Sequence, residues 1–88
     1  MLTLPATLTY RQALVARQAL HAQINAHSAV VMDASALTQF DSSTLAVLLA
    51  CRRQAFAAGK TFAVYGLPEK LTQLAGLYGV TELLVATA

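Results

Sequence analysis

Apolar runs of two spacings, separated by polar clusters and glycines, divide this 88-residue chain into alternating strand-like and helix-like segments. Leu2-Thr3-Leu4 alternates as a short strand does, and Pro5, with no N–H to donate, ends it or marks a sheet edge. Thr9 followed by Gln12 forms a capping box that opens a helix over residues 10–25. Its apolar stripe is Tyr10, Ala13, Leu14, Leu20 and Ile24, leaving Arg11, Gln18 and Gln23 for solvent. Ala29-Val30-Val31-Met32 is a continuous apolar run, the pattern of a strand buried on both faces. Residues 33–39 connect onward through an irregular turn, because Leu37 and Phe40 still require burial.

A second helix spans residues 42–58, with Gly59 as its stop. Thr61-Phe62-Ala63-Val64-Tyr65 is rich in β-branched and aromatic residues, as a strand is, and Gly66 closes it. Pro68 suits the first position of a third helix, and Glu69 is favourable in its first turn. Leu71, Leu74, Ala75 and Tyr78 then repeat at i, i+3, i+4 and i+7, Gly79 ends the helix, and Val80 folds back onto its last turn. Leu83-Leu84-Val85 reads as a final short strand. This order implies an α/β fold, a small and mostly parallel sheet with helices packed on it. No linker, internal repeat or low-complexity stretch interrupts residues 1–88, which make a single domain.

Composition changes this picture in one respect. Hydrophobic residues make up 57% of the chain and charged residues only 11%, against a usual charged share of roughly 25%. That is little charge with which to cover a free surface. A membrane span is not the explanation, because Asp33, Asp41, Arg52 and Arg53 interrupt every run approaching the roughly 20 apolar residues required. The N-terminus lacks the basic start and continuous apolar stretch of a signal peptide. Apolar surface covered by another protein is the expectation that remains. The net charge of +2 is spread over scattered basic residues with no basic stripe interleaved with aromatics, which argues against a nucleic-acid partner. Cys51 is the single cysteine, so an internal disulfide is excluded; a small buried hydrophobe in a reducing cytoplasm is expected.

The strongest local signal is Asp41-Ser42-Ser43-Thr44, between Phe40 and the run Leu45-Ala46-Val47-Leu48-Leu49-Ala50. Each of these polar side chains can accept from an orphan N–H of a first helical turn, and the helix start favours negative charge, carboxylate or phosphate. Such a cluster is either an ordinary cap or a point where a modification or a partner is read. Neither His21 nor His27 has a spacing that would make Asp41 and Ser42 part of a catalytic triad, so no enzyme activity is expected. The two histidines and the lone cysteine form no metal-ligand set, and no glycine-rich phosphate loop occurs, so neither metal nor cofactor is expected. His21 is expected at the surface or rim.

At 100° per residue, Leu45, Leu48, Leu49, Ala55 and Phe56 gather on the core side of the second helix. Arg52 falls there too and must snorkel. The opposite side carries Ser43, Ala46, Val47, Ala50, Gln54 and Ala57. It is small, flat and almost uncharged, and it has Ser42 at its head. It is expected to be a partner interface.

Val30-Val31-Met32-Asp33, the Leu37-containing connection, Phe40-Asp41-Ser42-Ser43, and an apolar helix ending before Gly59-Lys60 and a strand together resemble a STAS domain. That family includes anti-sigma factor antagonists, sulphate-transporter tails and a small subunit of the Mla phospholipid-trafficking ABC transporter. The resemblance covers residues 29–85, and the first helix fits it more loosely. In the antagonists the motif is Asp-Ser-Ser-Gly-Leu-Gly, with the first Ser phosphorylated; Asp41, Ser42, Ser43 and Leu45 match it residue by residue. Thr44 and Ala46 stand where the antagonists carry glycine, and Ala46 resembles the Mla subunit's Asp-Thr-Gly-Gly-Leu-Ala pattern more closely. Leu74-Ala75-Gly76-Leu77-Tyr78 also resembles that subunit's third helix.

The resemblance implies a STAS-like sheet whose N-terminal strand region is shortened, with one strand where the family usually has two. An edge left open in that way would need covering by a partner or a second copy. It further implies a non-enzymatic, cytoplasmic subunit that binds and stabilises or regulates the ATPase of an Mla-type transporter, which maintains outer-membrane lipid asymmetry. Asp41, Ser42, Ser43, Thr44, Ala46, Val47, Ala50 and Gln54 are the expected contacts. The other implication is an anti-sigma antagonist switch, phosphorylated on Ser42 by an anti-sigma factor kinase. A homo-oligomer covering its own apolar faces is a third arrangement.

Overall fold

The computed structural model describes residues 2–84. They form β1 (Leu2–Thr3), β2 (Thr7–Leu8), α1 (Tyr10–Ala26), β3 (Ala29–Asp33), β4 (Gln39–Phe40), α2 (Ser42–Ala57), β5 (Thr61–Tyr65), α3 (Glu69–Leu77) and α4 (Thr81–Leu84). The fold is α/β with parallel sheets and helices packed on them, as the pattern of apolar runs implies.

Both ends depart from expectation. Two short strands, not one, precede α1, because the polypeptide bends at Pro5 and Ala6 and then pairs again. The N–H groups of Thr38 and Gln39 both donate to the carbonyl of Ala6, at 2.8 and 3.0 Å, which draws β4 out of the expected irregular connection. At the other end, Leu83 and Leu84 are helical and not extended, while Val85 lies outside the described residues. Thr81 and Glu82 give this segment a helical first turn, and Leu84 is buried against the core.

β1, β3 and β5 form one parallel sheet in that order, and β2 and β4 a second parallel pair. Register sorts the residues of the first sheet by face. Leu2 pairs with Met32, Val30 with Phe62 and Met32 with Val64, and this side carries the core. Thr61 and Tyr65 on the other side are exposed, and Ala63 is half-buried. β3 is therefore buried on one face only, not on both: Val30 and Met32 are fully buried, while Ala29 is exposed and Val31 partly so. The helices pack against a single side. Leu2, Leu4, Leu8, Ile24, Val30, Met32, Leu48, Leu71 and Leu84 meet there, each stabilising the fold by roughly 1.5–3 kcal/mol relative to exposure.

α1 and α2 are the most extensively packed pair of helices. α1 enters the core through Ala13, Ala16, Leu20 and Ile24, a narrow stripe of small residues followed by large ones. Tyr10 and Leu14, expected on the inner face, are each 67% exposed. The small side chains at 13 and 16 let α2 approach closely, and the larger ones are left outside the seam.

The C-terminus of α1 is satisfied from elsewhere. Nζ of Lys60 donates to the carbonyls of Ile24 (2.6 Å) and Asn25 (3.4 Å), placing a cation at the negative end of the helix. Lys60 is set there by the end of α2, where Gly59 N–H donates to Phe56 O (3.0 Å) and Lys60 N–H to Ala55 O (2.8 Å), a Schellman closure. Arg52 behaves as expected: it is half-buried, with its guanidinium 4.4 Å from the centroid of the Phe56 ring. Phe56 itself, expected in the core, is 49% exposed beneath it.

Candidate functional site

The start of α2 is built by Asp41. Its Oδ1 accepts from the Ser43 N–H at 2.8 Å, capping α2, and its Oδ2 accepts from the Tyr10 N–H at 3.1 Å. One carboxylate thus serves the first turns of two helices, with both positive helix ends directed at its charge. Thr44 completes the capping box: the Asp41 N–H donates to its Oγ1 at 3.3 Å, and its hydroxyl in turn donates to the carbonyl of Leu8. Thr44 is fully buried, so the threonine standing in place of the antagonists' glycine ties α2 to β2.

That geometry separates the expected contact residues. Ser42 and Ala46 are exposed, and Ser43 and Ala50 are partly so. Thr44 is fully buried, and Val47 is buried but borders the smaller groove on the α1 side. The Gln54 amide is engaged within the molecule, donating to His21 O at 3.0 Å and to Asn25 Oδ1 at 3.2 Å. The side of α2 that reads as a free flat face is in large part the seam with α1, because small residues permit close approach by whichever helix is nearest. In this chain the nearest helix is its own.

The surface left beside Ser42 lies on the other flank of α2. An open groove of about 400 Å³ is lined by Ser42, Leu45, Ala46, Leu49, Tyr78 and Val80. Tyr78, which the i, i+7 spacing assigns to the inner face of α3, caps that helix instead and is 61% exposed. Leu77 beside it is 84% exposed. Val80 is partly buried, and its N–H donates to Ala75 O at 3.0 Å, closing the end of α3 beside the groove. Pro68, expected as the first residue of α3, is its N-cap; Glu69 is the first helical residue.

Ala46 also borders a second, smaller groove with Ala13, Leu14, Arg17, Ser43 and Val47. Exposed apolar groups therefore flank the head of α2 on both sides, Leu14 from α1 and Tyr78 from the end of α3. The wall supplied by Tyr78 and Val80 is the part that sequence spacing missed. Its signal was the adjacent pair Leu77-Tyr78, which one helix face cannot bury together.

Among the described residues no cluster of His, Cys, Asp and Glu could hold a metal ion, and no helix is long and apolar enough to cross a membrane. Asp33 accepts from the Ser35 N–H at 2.9 Å, and its bonds to Ser35 hold its carboxyl below the ordinary carboxylate value, a turn rather than a reactive site.

Comparison with known proteins agrees with this architecture. No curated protein matches the chain. The family model described as "Mlab, STAS domain" matches residues 1–86, and it extends the likeness back through α1 and both N-terminal strands. With an exposed serine at the head of the second helix, an Asp cap beneath it and that match along nearly all its length, the chain belongs to the MlaB-type STAS domain family.

Proposed function

We propose that this protein is a non-enzymatic accessory subunit that docks on the ATPase of an Mla-type ABC transporter and stabilises or regulates it. Such a transporter maintains outer-membrane lipid asymmetry, and the subunit acts in the cytoplasm, held at the inner membrane only through its partner. The observation that carries this reading is the groove with Ser42 at its head and Leu45, Ala46, Leu49, Tyr78 and Val80 along it. It combines a polar end with an apolar floor and exposed aromatic and aliphatic anchors, the make-up of a protein-binding hot spot. Of the contact residues expected from sequence, Ser42 and Ala46 lie on it directly. Asp41 acts from beneath, by holding the first turn of α2.

Co-expression with an Mla-type ATPase from the same organism tests the proposal. A stable complex by size-exclusion chromatography with light scattering is expected, and a monodisperse monomer that ignores the ATPase sinks it. A self-associated species in the same experiment would indicate a homomeric assembly instead.

Ser42 also sustains the second reading, a switch of the anti-sigma antagonist type acted on by an anti-sigma factor kinase. Its hydroxyl is exposed at the first position of α2, where the positive end of the helix favours a phosphate's charge of about −1.5 to −2. Intact-mass measurement on protein from its native cell decides between the two. Phosphate on Ser42 favours the switch, and its consistent absence favours transporter docking.

A further inference from the structure

Arg17, His21 and Arg53 line one cleft between α1 and α2, together with Ala50, Cys51 and Gln54. Its volume is about 320 Å³, within the range of small-molecule sites. The helix pair builds it: Arg17 and His21 lie one turn apart on α1, Arg53 and Gln54 are neighbours on α2, and the two Gln54 hydrogen bonds to His21 O and Asn25 fix the helices across it. The cleft is separate from the Ser42 groove and shares no residue with it.

Charge is distributed unevenly around it. The segments forming α1 and α2 carry Arg11, Arg17, Arg52 and Arg53 and no acidic residue, whereas Asp33, Asp41, Glu69 and Glu82 all lie elsewhere. No acidic side chain lines the cleft. Arg17 acts on its floor, where the guanidinium favours the charged form of the Cys51 thiol against the opposing effect of burial. Ala50 and Cys51 supply an apolar strip between the basic groups.

We propose that this cleft binds a phosphate-bearing small molecule, with its phosphoryl group between Arg17 and Arg53 and its organic part against Ala50 and Cys51. Two guanidiniums with an imidazole beside them outweigh the single charge of a carboxylate and match a phosphate, whose oxygens accept from guanidinium forks. A lipid headgroup and a soluble phosphoester share this chemistry.

The test is an NMR titration of the isotope-labelled full chain with glycerol 3-phosphate and, separately, with phosphatidylcholine vesicles containing phosphatidylglycerol. Saturable shifts confined to residues 17, 21 and 50–54 are expected. Arg17→Ala and Arg53→Ala should each weaken binding about tenfold. Arg52→Ala removes the same charge from α2, but that guanidinium lies over Phe56 and outside the cleft, so a change under about twofold is expected. Binding of the soluble probe alone identifies a free phosphoester as the ligand class. Vesicle binding that glycerol 3-phosphate displaces identifies a headgroup. Absence of binding to both probes, shifts scattered over the surface, or equal losses in Arg17→Ala and Arg52→Ala overturn the proposal, the last because attraction would then follow net charge alone.

Discussion

Three polar residues at the head of α2, Asp41, Ser42 and Thr44, have three different fates, and stability measurements can tell them apart. Thr44 is buried and bonded on both sides, so Thr44→Val keeps the volume but strands the Leu8 carbonyl; a loss of about 1–3 kcal/mol in urea unfolding is expected. Asp41→Ala removes caps from two helices and should cost about 1–2 kcal/mol. Ser42 is exposed, and Ser42→Ala should stay within about 0.5 kcal/mol. A Ser42→Ala loss as large as that of Thr44→Val would show that Ser42 is structural and would undercut its place in a docking site. Cys51 offers a second residue-scale readout. Burial pushes its thiol up to about 11 from an ordinary value of 9.0, the Arg17 guanidinium opposing only in part. The folded state therefore keeps a proton that an unfolded chain releases, so Cys51 leaves stability unaffected below about pH 9 and lowers it as pH rises towards 11. At pH 8 its thiolate population should be about a hundredfold smaller than that of a free thiol, and alkylation by iodoacetamide correspondingly slow until denaturant is added. Rapid alkylation in the native state would mean that the α1–α2 seam opens. The Asp41 cap and the burial of Cys51 were legible in sequence. The second helix end served by Asp41 was not, because Tyr10 lies 31 positions away and no local pattern encodes that meeting.

Among whole elements, the loops closed by glycine separate backbone strain from lack of space. Gly59 and Gly66 both have φ of +73°, a left-handed conformation that a side chain adopts at a cost of about 1–2 kcal/mol. A Cβ at Gly59 meets nothing within 4 Å, whereas at Gly66 it would lie 3.0 Å from both the backbone nitrogen and the Cβ of Ser35. Gly59→Ala should therefore cost about 1 kcal/mol, and Gly66→Ala clearly more, because the turn after β3 must shift to admit it. Equal thermal-melting losses for the two variants would refute the close contact of these turns. Both glycines announced their turns in sequence, but only the fold distinguishes them. The same limit explains α1. Its length and its Thr9–Gln12 start followed from local pattern, yet the stripe drawn through its largest residues, Tyr10 and Leu14, put in the core groups that the structure exposes. Where two helices meet closely, alanine marks the seam, and hydrophobicity alone ranks alanine too low to reveal it. The expectation that β3 is buried on both faces erred for a related reason: a continuous apolar run fits a two-sided strand, but here Ala29 and Val31 face the side of the sheet away from the core.

For the molecule as a whole, the excess of apolar composition is resolved into position. It does not form one broad face: part of it lines grooves on both flanks of α2, with Ala46 common to the two, while Val15, Phe56, Tyr65 and Leu83 are exposed outside them. This sharing makes Ala46 the most discriminating site for the docking proposal. Its side chain is small and exposed, lies one turn from Ser42, and is absent from the buried core, so Ala46→Glu should leave the melting temperature nearly unchanged. The added carboxylate would nonetheless project over both grooves, and an unpaired charge buried at the centre of an interface costs several kcal/mol. Capture of the ATPase by Ala46→Glu is expected to fall by at least about a hundredfold. Tyr78→Ala, which removes one wall of the Ser42 groove alone, should reduce capture by about tenfold or more, whereas Val15→Ala, equally exposed but on α1 away from either groove, should have little effect. The pattern across the three variants locates the contact. Sensitivity to Ala46→Glu and Tyr78→Ala but not Val15→Ala places the ATPase on the α2–α3 side. Sensitivity to Ala46→Glu and Val15→Ala with Tyr78→Ala silent would move it to α1 and defeat the groove assignment, while leaving the membership of the family untouched.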